Sequence, residues 1–141
     1  MTPEATALAE RLVALVGWER LSGTYTTQGT LYLFSNMEGG EVVGVFFDPP
    51  SATHCIAGHD RGETIDLDHP SNEGHLRVLA EEVCGQKAAL MPISERWALV
   101  VVAPAEKATN GAIVPRTLGK GPTPGQAYAA AIVAHYEGER A

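Results

Sequence analysis

The chain is poor in the groups that announce a chemistry. It has two cysteines, Cys55 and Cys84. Two are too few for a disulfide framework, and they lack the close Cys pair of a structural zinc site, so both read as free thiols in a reducing compartment. Basic residues are also few: ten Lys and Arg stand against seventeen Asp and Glu, for a net charge of −7. Phosphate contacts dominate nucleic-acid affinity, so a chain with a few scattered basic residues is not expected to bind nucleic acid. The acidic residues are scattered as well, which argues against a DNA-mimicking surface. The longest apolar run, Trp97 to Ala103, falls far short of the roughly 20 residues a membrane helix needs. Met1-Thr2-Pro3-Glu4 carries neither the basic start nor the apolar stretch of a signal peptide. The expectation is a soluble, cytoplasmic protein with no membrane partner.

What is present is an ordinary globular composition, 45% apolar and 19% charged over 141 residues. That suffices for a single domain over 1–141 with a core of its own. Thr2, Pro3 and Glu4 mark a helix start, Leu8, Leu12, Leu15 and Val16 give it an apolar stripe, and Gly17 ends it. Thr24 to Phe34 is rich in strand formers, Asn36 to Gly40 reads as a hairpin loop, and Glu41 to Phe47 as the return strand. Residues 51–74 form a His-rich loop, with a short strand at Thr64 to Leu67. A second helix spans Ser71 to Cys84, with Leu76, Leu79, Ala80 and Val83 inward and Gly85 as its stop. Strands are expected at Lys87 to Ile93, Trp97 to Ala103 and Ala112 to Thr117. Thr123-Pro124-Gly125-Gln126 then caps an Ala-rich last helix. This order implies an α+β fold, a mostly antiparallel sheet of about five strands flanked by three helices.

The pattern resembles the phage ABA-sandwich domain, a group of small bacteriophage proteins. The resemblance rests on a first helix ending in Gly17-Trp18 and a Pro-containing turn into the second helix. It continues through the aromatic-led strand Trp97-Ala98-Leu99-Val100-Val101 and the closing Thr123-Pro124-Gly125-Gln126-Ala127. Gly125 stands where the family usually has a larger residue. The resemblance implies a sandwich-like fold, a phage or prophage origin and a place in the cytoplasm of a bacterial host. It brings no catalytic residues.

Three segments offer chemistry. His54, His59 and His69, completed by Asp60 or His75, are ligand types for zinc within one loop, although their spacing matches no standard pattern. The alternative is a polar loop with solvated histidines. Cys55 raises nucleophilic catalysis, but His54 beside it would point to the opposite face of a strand and could not activate it. Arg116, Gly119, Lys120, Gly121 and Thr123 precede a helix start, where free N–H groups and the helix dipole can hold an anion. The glycine spacing is not that of a phosphate-binding P-loop. The reading these features favour is a phage or prophage accessory protein that acts by binding and needs no cofactor. Its partner would be a host protein or a sequestered nucleotide-like ligand, with Arg61, Arg116 and Lys120 as cationic contacts and host-defence interference as the outcome the resemblance suggests. Assembly into a homo-oligomer is compatible with the small-residue face of the last helix. The alternative is a metal-dependent hydrolase using the His54–His75 segment.

Overall fold

The computed structural model describes residues 1–29, 31–36, 42–47, 55–57, 64–85, 87–102 and 115–140. The chain divides into two compact units, Met1–His75 and Leu76–Ala141, and the division falls inside the second helix.

In the first unit, helix α1 spans Pro3–Val16. The Thr2 hydroxyl accepts the Ala5 N–H at 3.2 Å, and Pro3 occupies a position whose missing N–H costs nothing. The buried stripe is Ala5, Ala9, Leu12 and Val16, while Leu8 and Leu15 are only half-buried. The face thus turns toward alanine, which permits closer approach than a leucine stripe. Gly17 ends the helix with φ 80°, and a short 3-10 turn follows at Trp18–Leu21.

Strands β1 (Thr24–Tyr25), β2 (Leu31–Asn36), β3 (Val42–Phe47) and β4 (Cys55–Ala57) form an antiparallel sheet in that order. The single strand expected over Thr24 to Phe34 is broken. Gly29 sits at φ 81° and donates its N–H to Thr26 O at 2.9 Å, and β2 turns back so that Thr24 pairs with Tyr32. The expected hairpin between β2 and β3 is present, paired from Leu31 with Phe47 through Asn36 with Val42. The loop residues 37–41 lie outside the described residues.

The segment at 64–67 is drawn in as a pseudo-strand. Thr26 bridges Ile65, and Thr27 N–H donates to Thr64 O at 2.9 Å. Ile65 and Leu67 are buried. Asn72, fully buried near the start of helix α2 (Pro70–Cys84), ties this together. Its Oδ1 accepts the Tyr25 N–H, and its Nδ2 donates to both Tyr25 O and Asp66 O, each at 2.8 Å. One amide thereby bonds three backbone groups of two segments, the Tyr25 N–H and the Tyr25 and Asp66 carbonyls, and ties β1 to 64–67.

In the second unit, Leu76, Leu79 and Ala80 are the buried residues of α2, and Gly85 ends it at φ 70°. Strands β5 (Ala89–Ile93), β6 (Arg96–Val102) and β7 (Pro115–Gly121) form a second antiparallel sheet. Ser94 and Glu95 make a two-residue turn in which Ser94 takes φ 48°. Helix α3 spans Pro124–Arg140 and packs on β7 and β6.

The class is therefore α+β, as the order of signals implies. The strands described here fall into two sheets rather than one, because each strand pairs with its sequence neighbour and the meander stops at α2.

The last strand also differs from its expected range, Ala112 to Thr117. It continues to Gly121, so Gly119-Lys120-Gly121 is strand and not connection. Glycine in a strand weakens it unless another backbone approaches closely, and α3 does so here. A Cβ on Gly119 would overlap Ala131 N and lie 2.7 Å from Ala127 O; one on Gly121 would lie 2.7 Å from Gln126 Cβ.

Candidate functional site

Strand β7 and helix α3 run back along one another through the short Pro122-Thr123 turn. Their pairing is closed at one end and open at the other. At the closed end Gly119 and Gly121 let the helix backbone lie against the strand. At the open end, glycine gives way to Leu118, Thr117 and Arg116, and a cleft of about 400 Å³ lies between strand and helix. Its walls are those three residues, Ala131, Ala134 and His135 of α3, and Cys84 at the end of α2.

The register explains how Arg116 reaches this cleft. Gly121, Lys120 and Gly119 pair with Trp97, Ala98 and Leu99, whereas Thr117 pairs with Val100 and Arg116 with Val101. Leu118 has no partner, so the strand bulges there. A bulge restarts the alternation of faces. Arg116 therefore falls on the α3 face together with Gly119 and Gly121, while Lys120 falls on the other face. Without the bulge, Arg116 would share the face of Lys120.

The electrostatics are one-sided. Arg116 is exposed, and among the described residues it makes no ion pair. Burial pushes the Cys84 thiol above its ordinary range, and the nearby Arg116 charge offsets this only in part. Cys84 is thus held as a neutral thiol at neutral pH, a weak donor rather than a thiolate nucleophile. His135 is half-buried and meets Tyr136 edge-on, with ring centroids 6.3 Å apart.

The five residues expected to form an anion site at the helix start are not brought together as one cradle. Arg116 and Lys120 lie on opposite faces, and the two glycines serve helix packing. At the start of α3, Pro124 has no N–H to give. Thr123 accepts the Gln126 N–H on its hydroxyl at 3.3 Å and the Ala127 N–H on its carbonyl at 3.0 Å. Most donors of that helix start are consumed by its own cap.

Of the zinc candidates, His54, His59 and Asp60 lie outside the described residues, as does Arg61. His69 stacks on Tyr25, with centroids 4.4 Å apart at 11°, and its Nδ1 accepts the Ser71 N–H at 3.1 Å. That bond occupies Nδ1 and leaves only Nε2 for any other partner. His75 Nε2 lies 2.9 Å from Arg20 O. Among the described residues, no group of three or more His, Cys, Asp or Glu is placed to hold a metal ion. Cys55 falls in β4.

Cys84 and His135 were not candidates on sequence. His135 has a signal of a kind: it lies four residues after Ala131 and eight after Ala127, on the helix face that meets β7. Cys84 has none, because its place depends on where α2 ends. Compared with protein-family models, with curated proteins and with solved structures, the chain has no significant match.

Proposed function

We propose that this chain is a small-molecule binding protein and that the α3–β7 cleft is its ligand site. The observation that carries this reading is the cleft itself. About 400 Å³ lies within the usual range for a ligand pocket, and short apolar side chains line it around a few convergent polar groups. The neutral Cys84 thiol favours binding over nucleophilic catalysis. The phage-accessory setting follows from the sequence resemblance alone. Withholding a small ligand from a host defence is the form of that setting which a cleft supports. Among the described residues the one ring in the lining is the small imidazole of His135, so the ligand proposed is a small molecule rather than specifically a nucleotide. Melting shifts across a panel of small metabolites test the reading, with Ala134→Trp as the control. Ala134 is exposed at the cleft wall, so the indole should fill the cleft without entering the core. A ligand that stabilises the wild type and not this variant supports the proposal. A panel that shifts neither protein, or both equally, removes it.

A further inference from the structure

Granting that the cleft binds a ligand, the residues around it restrict the ligand's chemistry. We infer that the site takes a small oxyanion with an aliphatic body, anchored by the Arg116 guanidinium with His135 beside it, and that Lys120 has no part in it.

Three observations converge. The bulge at Leu118 brings Arg116 onto the face of β7 that α3 covers. Bulges recur where a strand must re-aim one side chain. A strand that needed Arg116 only for solubility would have no use for the bulge, since the opposite face already carries the exposed Lys120. Second, among the described residues no carboxylate lines the cleft. The polar side chains on the α3 side are the Arg116 guanidinium, the His135 imidazole and a Cys84 thiol kept neutral by burial, and none of these repels an incoming anion. A guanidinium presents a planar fork of donors that matches two oxygens of a carboxylate or phosphate. Third, the remaining wall is Leu118, Ala131 and Ala134. These suit a short aliphatic body, and the one ring among the described lining residues is the small imidazole of His135.

Titration calorimetry on wild type, Arg116→Gln, Arg116→Lys, Lys120→Gln and Ala134→Trp decides the matter, with circular dichroism confirming that each variant is folded. The probes are butyrate, succinate, glycerol 3-phosphate, adenosine monophosphate and choline. The expected result is binding of at least one of the first three, weakened about tenfold or more by Arg116→Gln through loss of a charge-assisted bidentate contact. Arg116→Lys should recover part of the loss, and Lys120→Gln should change affinity by less than about twofold because a charge on the far face acts only at a distance. Preference for the carboxylates or for the phosphate ester identifies which oxyanion the site is built for. Three results would overturn the inference while leaving the ligand site intact: choline or adenosine monophosphate as the preferred probe, unchanged affinity in Arg116→Gln alongside loss in Ala134→Trp, or equal losses in Arg116→Gln and Lys120→Gln. No binding of any probe to the wild type overturns the inference, and the wider metabolite panel then decides separately whether the cleft is a ligand site.

Discussion

The two ends of the β7–α3 pair are made from the same two elements and behave in opposite ways. At Gly119 and Gly121 the strand offers no side chain, and the helix backbone comes down onto it. Just before them in the strand Arg116 and Leu118 take the place of glycine, and a cleft opens beside the helix. The packed end fixes the helix at close range and the open end is left free for a ligand. Local side-chain volume, not a change of secondary structure, separates a structural contact from a candidate binding site.

The comparison can be broken most directly at Gly119. Gly119→Ala places a Cβ into the backbone of Ala131. Backbone cannot yield as a flexible side chain can, so the expected cost is about 3 kcal/mol, measured as a fall in urea midpoint. A cost under about 1 kcal/mol would mean that α3 is not seated on the strand as described. Gly121→Ala meets Gln126 Cβ at 2.7 Å and the Ala127 N–H group at 3.0 Å, and a smaller loss of about 1–2 kcal/mol is expected.

Gly74 supplies the contrast within a helix. A Cβ there meets nothing within 4 Å, and helical glycine is costly through unfolded-state entropy. Gly74→Ala should therefore raise stability by about 0.5–1 kcal/mol. If it destabilises as Gly121→Ala does, glycine substitution as such, not crowding, explains both.

The smallest effect belongs to the open end. Burial raises the folded-state Cys84 thiol above its ordinary value of 9.0. The folded protein then holds this proton more tightly than the unfolded chain. The stabilisation is complete below pH 9, and it is lost as pH rises from there through the folded-state value. Comparing wild type with Cys84→Ala in urea between pH 8 and 11, the wild type should lose more stability on going alkaline. Parallel curves would place the thiol in ordinary solvent, and outside the cleft as drawn.

Much of the frame was legible locally. The caps at Thr2-Pro3 and Thr123-Pro124, the stop at Gly85 and the hairpin between β2 and β3 all use short-range signals, and all lie within a few residues of where they were read. Where two residues read alike locally, the reading failed. Gly119-Lys120-Gly121 looks like a flexible phosphate-cradling connection because glycine serves both a loop and a strand pressed against a helix. Of the anion-site candidates, Arg116 lines a cleft. Its companions there are His135 and Cys84 rather than Lys120.

The sequence by itself determined the α+β class, the positions of the three helices and the acidic, cysteine-poor character of the chain. These depend on composition and on interactions spanning a turn or two. Only the tertiary structure decided that the strands part into two sheets, that the glycines of β7 carry a helix, and that Arg116 faces a cleft. Each of those depends on pairing between distant residues, and a single unpaired residue at Leu118 is enough to send a side chain to one face of a strand or the other.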